Sequence, residues 1–438
     1  MTVRRFLFVS HRYCGLAAAL FLLVAAVTGC LLVFRGELDA ALNPELFRVA
    51  ARPVLPATEV VRRVQQAHPD WRIRRFDLRT QPGWALHLEI EPRPGPAGID
   101  QVIADPADGA VHGMRATRPG WRRRDLFQTI FLLHYTLLAG TAGRWCMGMV
   151  ALLWMGLSGF GVAMTWPRRL PRMRNWIPAW LTRRGRLARR PLPELHRVAG
   201  LWLALPLLVL AGTSFAMNFY AELARPLVER LSPPRASPFD AAFRRPDAAP
   251  AGPPIGFAPA ERIAMAAASG LPGMAPVEMT DDPAHGFYGV SFAPGGTSLY
   301  RGFGRVTYYV DRHSGRLAWI DRPGLDGIGR LVLRSLYPLH SGQVAGLATR
   351  LLVLLLGIVT CALAVTGFLP WWRRRRARRQ GSGEADPAMP VHQHRAGLVD
   401  TYQLHHDAVP AHPADHVLQR RHRGHVPQMG VPQVDDDA

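Results

Sequence analysis

The stretch HRYCGLAAALFLLVAAVTGCLLVF, residues 11–34, places a His-Arg pair at the start of a long apolar run. The same pair begins HRVAGLWLALPLLVLAGTSF, residues 196–215, again with a glycine four residues after the histidine. A helix needs about 20 mainly apolar residues to cross a bilayer, and both runs reach that length. Two segments of membrane length that start alike indicate an internal repeat.

The composition of the whole chain is a mosaic of apolar and basic segments. Its 438 residues are 48% hydrophobic and carry a formal net charge of +21, which is typical neither of an ordinary soluble domain nor of a pure membrane bundle. The sequence predicts four membrane-spanning helices, with two long polar stretches between members of the set. The four apolar windows are residues 13–34, 145–166, 198–219 and 351–372.

Arginine-rich segments next to the spans predict the orientation of the chain. Residues 167–190 carry nine arginines and no acidic residue, and residues 373–379 carry six arginines. Basic residues beside spans stay on the cytoplasmic side, so both segments and both termini are expected there, and the polar stretches are expected in the periplasm of a bacterium. Because the arginines cluster at span ends, and the chain has no lysine, we expect no nucleic acid partner.

The first apolar run has an alternative interpretation as a cleaved signal peptide, since VTGC at residues 27–30 resembles a lipoprotein processing site. The run continues past Cys30 and carries the first His-Arg pair, so a retained helix is the favoured interpretation. All four cysteines lie in or beside spans, which predicts no disulfide framework in the outer domains. No Cys-x-x-Cys-His motif occurs, so any haem is expected to bind without covalent attachment.

The polar stretches repeat one another as well. Each has a helical pattern, at residues 57–68 and 259–270, followed by strand-like segments at residues 84–90 and 287–293. Each then has a hairpin pattern of strand, Asp-x-x-x-Gly and strand, in which the glycine serves the turn. A leucine-rich stretch that ends in Leu-His follows in both. We therefore interpret the chain as a tandem duplication with both halves in the same orientation.

Four histidines occupy matched membrane-edge positions in the two copies. His11 and His196 open spans on the cytoplasmic side, and His134 and His340 precede spans on the outer side. A parallel duplication puts His11 and His196 on one membrane face and the other two on the opposite face. A pair of facing imidazoles is what six-coordinate haem b requires, because the iron takes one axial nitrogen from each side. The pattern predicts two haem b groups with these histidines as axial ligands of the iron.

Two other interpretations of these histidines stay open. A histidine at the end of a span can simply lie in the headgroup region, where arginines anchor or snorkel. Zinc is the second, but it takes a fuller tetrahedral set, and Glu194 is the only acidic residue close to any of the four. Ionisable groups at membrane depth are usually functional, and the duplicated positions favour the haem interpretation.

An arginine accompanies each of the four histidines. Arg12 and Arg197 directly follow the inner histidines, and Arg144 and Arg350 come ten residues after the outer ones. The guanidinium group binds carboxylates through paired N–H donors. We therefore expect these four arginines to be partners of the haem propionates.

The four spans and their flanks resemble the PepSY-associated transmembrane family. The likeness lies in the His-Arg openings of residues 11–47 and 194–215, and in LLHYTLLAGTAGRW and YPLHSGQVAGLATR, which begin residues 132–160 and 337–372. The outer stretches resemble PepSY domains, small modules of a helix and an antiparallel sheet. The resemblance implies a membrane α-helical fold: a four-helix transmembrane bundle built from a tandem duplication, with two external α+β PepSY-like domains.

That family includes iron-regulated inner-membrane proteins regarded as ferric-siderophore reductases, and the four histidines match its histidine positions. The resemblance implies an inner-membrane di-haem b oxidoreductase that passes electrons to a periplasmic ferric-siderophore and releases Fe(II). No Gly-x-Gly-x-x-Gly motif follows a strand pattern, so an external electron donor is expected, either a quinol or a cytoplasmic flavoprotein. Membrane lipid and the ferric-siderophore are the other expected partners.

Two other functions stay open. PepSY domains also occur as inhibitory or regulatory modules, which makes a membrane-anchored binding protein without redox activity the first alternative. Such a protein would tolerate the loss of all four histidines. Transport of iron or its chelate is the second, although the spans contain no acidic residue to relay protons.

These patterns divide the chain into eight segments. The tail from Gln380 is rich in histidine, proline and charge, and we interpret it as cytoplasmic and disordered. The segments are the N-terminus with the first span (1–34), the first outer domain (35–129), the first outer histidine segment with the second span (130–166), the cytoplasmic loop (167–195), the third span (196–219), the second outer domain (220–339), the second outer histidine segment with the fourth span (340–372), and the cytoplasmic tail (373–438).

Overall fold

The structure is a computed structural model that describes residues 2–91, 98–233, 252–295, 304–325 and 327–383. The described residues up to Arg379 form one compact unit. The predicted disordered tail lies outside the described residues from residue 384 onward.

The helices are numbered in chain order. Short 3₁₀ turns lie at Arg123–Asp125 and Ile177–Ala179, and a π-helical turn lies at Tyr220–Ala224. The α-helices of the described residues are α1 (Val3–Leu32), α2 (Arg35–Leu42), α3 (Pro44–Phe47), α4 (Ala57–Ala67), α5 (Leu126–Thr136), α6 (Gly140–Thr165), α7 (Arg172–Trp176), α8 (Arg184–Arg189), α9 (Pro191–Trp202), α10 (Ala204–Asn218), α11 (Arg225–Leu231), α12 (Phe257–Ala267), α13 (Gly327–Ser341) and α14 (Leu347–Gly383).

Three of these helices are long and apolar enough to cross a membrane, namely α1, α6 and the Leu347–Ala377 part of α14. The third predicted span, residues 198–219, is divided at Leu203 between α9 and α10, which meet at an angle of 72°. Pro206 has no N–H to donate to the Trp202 carbonyl, which weakens the helix at this point and favours the bend. The predicted span is therefore a bent pair of helices, and counting the pair as one span gives up to four spans in the described residues.

Each outer histidine lies on a short helix that a glycine-bearing break separates from the following span. Between α5 and α6, an added Cβ at Gly143 would collide with the Thr136 carbonyl. Between α13 and α14, Gly342 has φ +75°, and an added Cβ there would lie 2.6 Å from the Thr349 carbonyl oxygen. Only glycine permits these close backbone approaches. The breaks place α5 and α13 at the outer ends of their spans.

The outer stretches of both copies join in one antiparallel sheet of eight strands. The spatial order is β4-β3-β2-β1-β5-β6-β7-β8, so each copy supplies four consecutive strands. The strands are β1 (Ile73–Asp77), β2 (Leu86–Ile90), β3 (Gln101–Ala104), β4 (Val111–Arg115), β5 (Met274–Asp282), β6 (Phe287–Pro294), β7 (Val306–Asp311) and β8 (Leu317–Asp321).

One face of the sheet carries the apolar core of the outer region. Phe76 of β1 is 2% exposed, and its ring meets the ring of Phe257 on α12 edge-on, with centroids 5.1 Å apart. Val60 of α4 and Leu88 of β2 are fully buried in the same core. Burying each such side chain contributes about 1.5–3 kcal/mol. The opposite face is polar, as the alternation of side chains along a strand requires.

The sequence predicted two external domains, and the structure joins the two modules through β1 and β5, where Phe76 pairs with Met279. The predicted hairpin glycines, Gly109 and Gly315, have φ of +83° and +71°. The junction escapes prediction because β1 (IRRFD) is short and rich in charge. Two separate sheets would each leave a strand edge unpaired, and pairing β1 with β5 satisfies both edges.

Candidate functional site

The inner histidine pair consists of His11 on α1 and His196 on α9. The ring centroids lie 6.2 Å apart and the ring planes meet at 86°. Nδ1 of His11 lies 3.1 Å from the Leu157 carbonyl oxygen of α6. Nδ1 of His196 lies 3.1 Å from Thr366 Oγ1 of α14. The predicted same-face pair is therefore brought together, and each ring is held by a neighbouring helix.

The outer histidine pair consists of His134 on α5 and His340 on α13. The ring centroids lie 6.1 Å apart and the ring planes meet at 56°. Nδ1 of His134 lies 3.0 Å from both the Ala25 carbonyl oxygen and Thr28 Oγ1 of α1. Nδ1 of His340 lies 3.3 Å from Thr213 Oγ1 of α10. The outer pair thus repeats the construction of the inner pair.

These contacts determine which ring nitrogen carries the proton. The carbonyl oxygens beside His11 and His134 only accept hydrogen bonds, so Nδ1 of each ring donates. The hydroxyls of Thr366 and Thr213 donate to backbone carbonyls one turn earlier in their helices and therefore accept from Nδ1 of their histidines. With Nδ1 protonated, Nε2 keeps its lone pair on the other edge of each ring, as a metal-ligating histidine requires.

The contacts follow the duplication in a simple way. Each Nδ1 partner belongs to the same copy as its histidine, whereas each histidine pair takes one ring from each copy. Thr28 and Thr213 both come 17 residues after the first histidine of their copy. Both candidate sites therefore lie at the interface between the copies, and each copy orients its own two rings.

Glycines lie against three of the four rings. An added Cβ at Gly29 would lie 3.1 Å from Cε1 of His134, and at Gly161 or Gly367 it would lie 3.4 Å from Cε1 of His11 or His196. A larger side chain at any of these positions would push the ring out of place. Gly161 and Gly367 both come 27 residues after the second histidine of their copy.

The donor set fits the axial ligation of a haem. A metal–imidazole nitrogen bond is about 2.0–2.1 Å, and the ring centroid lies about 1 Å beyond the nitrogen, so two axial imidazoles hold their centroids about 6 Å apart. The two observed spacings, 6.2 and 6.1 Å, agree with that value. Protonated Nδ1 atoms and available Nε2 atoms supply the chemistry that axial ligation needs.

Arg144 and Arg350 connect the two copies through matched contacts. Arg350 donates to the Val33 carbonyl at 2.7 Å and pairs with Glu37 at 2.7 Å. Arg144 donates to the Asn218 carbonyl and to Glu222. In both cases the arginine reaches the end of the first span of the other copy and a glutamate four residues later.

These two ion pairs also perturb the glutamates. The Arg350 guanidinium lowers the pKa of Glu37, and the Arg144 guanidinium lowers the pKa of Glu222, in each case chiefly through a side-chain hydrogen bond. The two arginines thus act as clasps between the copies, and we call these contacts the arginine clasps. The predicted contact of Arg144 and Arg350 with haem propionates stays a prediction.

The two inner arginines differ from one another. Arg197 bonds Glu194 at 2.5 Å, the Leu181 carbonyl at 3.1 Å and the Ala179 carbonyl. These contacts hold the cytoplasmic segment against the start of α9. Arg12 is exposed and lies beside the ring of Tyr13, 5.5 Å from its centroid. Their predicted contact with propionates also stays a prediction.

A row of tryptophans connects the end of α6, the arginine-rich loop that follows it and the end of α9. Trp166, Trp176, Trp180 and Trp202 meet edge-on, with successive centroids 4.7, 5.0 and 5.5 Å apart. The Trp202 indole donates to the Trp180 carbonyl at 2.9 Å. Tryptophans are enriched at the membrane–water interface, and the row packs the arginine-rich loop between α6 and α9 against the span ends.

A polar cavity of about 1100 Å³ lies beside the outer pair. Its lining combines the polar face of the sheet with Arg334, Tyr337 and Pro338 of α13. Tyr337 comes one helical turn before His340, and side chains three residues apart on a helix are neighbours. Arg334 forms an ion pair with Asp321 of β8, which ties α13 to the sheet.

Carboxylates in and beside the cavity repel one another. Burial, with the nearby charge of Glu278, raises the pKa of Asp77 from 3.8 to about 6. Burial also raises the pKa of Glu89, with Glu278 adding to the rise and Arg75 opposing it. Burial and the charge of Asp321 raise the pKa of Tyr309 to about 12. Arginines offset these carboxylates, since Arg305 pairs with Glu278 at 2.8 Å and Arg312 pairs with Asp281 at 2.7 Å.

The threonines, glycines and glutamates of these contacts were not predicted from the sequence. Their signal is the constant spacing between the copies, since Thr28, Gly161 and Glu37 each have a counterpart at the matched position. The residue types alone carry no such signal, because threonine and glycine are ordinary in membrane helices. Within the described residues, no group of three or more His, Cys, Asp or Glu side chains is arranged to hold a metal ion.

A family model described as PepSY-associated TM region matches residues 8–374, which include all four membrane-edge histidines. No curated protein matches the chain.

Proposed function

Because the chain belongs to the family of PepSY-associated TM regions, we propose that it is an inner-membrane di-haem b oxidoreductase. It takes electrons from a quinol or a cytoplasmic flavoprotein and delivers them outside the cell membrane to a ferric-siderophore. Each electron reduces one Fe(III) to Fe(II), which oxygen chelators of Fe(III) hold less tightly, so Fe(II) is released.

The observation that carries the proposal is the duplicated pair of histidines. Each pair holds its rings about 6 Å apart, and each ring is oriented through Nδ1 by a contact with an adjacent helix. A histidine that only anchors a span in the headgroup region needs no partner histidine and no such contact. Four rings with the same arrangement favour axial ligation.

The residues of the chain have separate roles in this proposal. His11 and His196 would hold one haem, and His134 and His340 the other; a haem supplies one-electron transfer. Ala25, Leu157 and the anchoring threonines keep the rings in place and Nδ1 protonated. The arginine clasps hold the two copies together, and with them the two halves of each site.

The orientation is also part of the proposal. The arginine-rich loop and the start of α14's basic end lie in the cytoplasm, and the eight-stranded sheet lies in the periplasm. The inner pair then receives electrons at the face where quinols and flavoproteins donate, and the outer pair delivers them beneath the sheet. The four spans, counting the bent pair as one, form the transmembrane bundle.

The first experiment is a reduced-minus-oxidised absorption spectrum of the purified full chain, with the haem-to-protein ratio. We expect haem b bands and about two haems per chain, falling to about one in His196→Ala and in His340→Ala. His112→Ala, an exposed histidine of β4, is the matched control and should leave the ratio unchanged.

Activity is measured on the same samples. Dithionite-reduced protein mixed with a ferric-siderophore should be reoxidised while an Fe(II) indicator reports product. A featureless spectrum after haem-replete expression would contradict the proposal and favour the membrane-anchored regulatory interpretation.

A further inference from the structure

The arginine-rich loop between α6 and α9, residues 167–190, carries a strong positive charge that its surroundings do not neutralise. Its nine arginines are all exposed, and no acidic residue lies among them. The next acidic residue along the chain, Glu194, already pairs with Arg197. No arginine of the loop forms an ion pair with a carboxylate in the described part of the chain. The loop therefore offers nine guanidinium groups to an external anion.

The loop also exposes large apolar side chains between its arginines. Leu170 is 78% exposed, Met173 is 65% exposed and Ile177 is 59% exposed. Side chains of this size in contact with water mark an interaction surface when they occur together. A segment that combines basic and apolar side chains in this way is typical of the membrane interface, where the apolar groups reach the acyl-chain boundary.

Hydrogen bonds hold the loop at the ends of two apolar helices. The Trp176 indole donates to Thr165 Oγ1 at the end of α6, at 3.0 Å. The Trp202 indole at the end of α9 donates to the Trp180 carbonyl at 2.9 Å. Tryptophan side chains favour the headgroup level of a membrane. The loop is therefore held beside the membrane surface on both sides and does not extend away from it.

We propose that the arginine-rich loop binds anionic phospholipid headgroups of the leaflet that it faces. Its guanidinium groups bind the lipid phosphates through paired N–H donors, and its exposed apolar side chains lie among the upper parts of the acyl chains. An anionic membrane surface attracts each arginine near it, and the attractions add along a basic segment. The inference goes beyond the proposed function, because it requires neither haem nor electron transfer.

The apolar side chains favour lipid over a soluble acidic protein as the occupant. Charge alone would attract either partner. Met173 stands between Arg172 and Arg174, and Leu170 directly follows Arg169, so the apolar groups are scattered among the charges. A fluid acyl-chain layer accommodates scattered apolar groups, whereas a folded partner would need a separate pocket for each of them.

Lipid preference is measured on the full chain in nanodiscs by quenching of tryptophan fluorescence with brominated acyl chains. Four of the 12 tryptophans belong to the row beside the loop. Brominated phosphatidylglycerol in ordinary phosphatidylcholine is compared with brominated phosphatidylcholine in ordinary phosphatidylglycerol, at equal fractions of the brominated lipid. We expect stronger quenching by the brominated phosphatidylglycerol, equivalent to about tenfold tighter binding.

Substitution of two loop arginines locates the site. Arg172→Gln with Arg174→Gln removes two exposed charges from the loop, and should lower the preference for phosphatidylglycerol from about tenfold to about threefold or less. Arg62→Gln with Arg72→Gln is the matched control. It removes the same charge from the outer region, where the two side chains are 53% and 73% exposed, and should leave the preference unchanged.

Three outcomes would overturn the proposal. The first is equal quenching by the two brominated lipids in the wild type. The second is an equal change of preference in the two double variants. The third is tight binding of poly-glutamate through Arg172 and Arg174 without any lipid preference, which would assign the loop to an acidic soluble partner. Because none of these readouts needs haem, failure of this proposal is distinguishable from failure of the proposed function.

Discussion

The inner and outer histidine pairs have the same construction but different surroundings. Each pair takes one ring from each copy, and the Nδ1 atom of each ring contacts a residue of its own copy. Near the inner pair, Trp202 lies on α9, the helix of His196, and an arginine-rich loop precedes that helix. Near the outer pair, Tyr337, one helical turn before His340, lines a cavity on the polar face of the sheet.

The difference indicates that the two copies kept the same histidine pairs, while the residues around the two pairs diverged. The centroid spacings match, at 6.2 and 6.1 Å, although the ring planes meet at 86° in the inner pair and 56° in the outer pair. Under the proposed function, the two pairs would hold two electron-transfer groups, with electrons entering at the inner pair and leaving at the outer pair.

The largest expected effect is a loss of bound haem when the glycines beside the histidine rings are replaced by larger residues. Gly29→Leu should displace His134, because even a Cβ would lie 3.1 Å from its ring, and should remove about half of the bound haem. Gly161→Leu should act on His11 at the inner site, with a smaller loss, since its Cβ distance is 3.4 Å. The haem-to-protein ratio measures both.

Gly159→Leu is the control for these variants, because an added Cβ there meets nothing within 4 Å. If Gly159→Leu loses as much haem as Gly161→Leu, the glycines have no specific role beside the rings. If Gly29→Leu retains both haems, the outer ring is less confined than its contacts indicate.

The next largest effect is a lower free energy of unfolding when an arginine clasp is removed. Arg350 is 9% exposed, and Arg350→Ala should lower the free energy of unfolding by about 2–3 kcal/mol through lost charge-assisted hydrogen bonds. Arg144→Ala should cost less, because the Arg144 side chain is 20% exposed and that of Arg350 is 11% exposed. Thermal unfolding in detergent measures both, with Arg62→Ala, which removes a surface ion pair, as the control expected to cost least. Equal losses in all three variants would contradict a special role for the clasps.

We expect a pH-dependent contribution to the free energy of unfolding from Asp77, on the outer side of the protein. The pKa of Asp77 is raised from 3.8 to about 6, so the folded state holds this proton more tightly than the unfolded state does. The cost of ionising Asp77 is absent below about pH 4, grows as pH rises, and is complete above about pH 6. Asp77→Asn should therefore stabilise the protein by up to about 3 kcal/mol at pH 8 and change little at pH 4. A stabilisation independent of pH would refute the assignment to Asp77 ionisation.

The smallest expected effect is a change in midpoint potential. It tests whether Thr28 only positions the ring of His134 or is needed for the histidine to act as a ligand. Thr28→Val removes one Nδ1 partner of His134 but leaves the Ala25 carbonyl in place. The less basic ring should raise the midpoint potential of the outer site slightly, with both haems retained. Thr165→Val at the end of α6, whose hydroxyl contacts Trp176, should leave that potential unchanged. Loss of haem in Thr28→Val would show that Thr28 is essential for holding the ring.

Much of this arrangement can be predicted from the sequence, and the features that were missed have physical explanations. The pairing of His11 with His196 and of His134 with His340 follows from parallel duplication alone. The break at Leu203 was missed because apolar composition hides the effect of Pro206 on the helix. The β1–β5 junction was missed because strand pairing depends on tertiary context. The partners of Arg144 and Arg350 are distant in sequence, and only the constant spacing of Glu37 and Glu222 hints at them.

The most direct test of the central claim is an electron paramagnetic resonance spectrum of the oxidised protein. If each site takes one histidine from each copy, two low-spin ferric signals are expected, with the more anisotropic one from the inner pair, whose ring planes are nearly perpendicular. His196→Ala should remove one signal and His340→Ala the other. Survival of both low-spin signals in the double variant, or their absence from haem-replete wild type, would contradict the account.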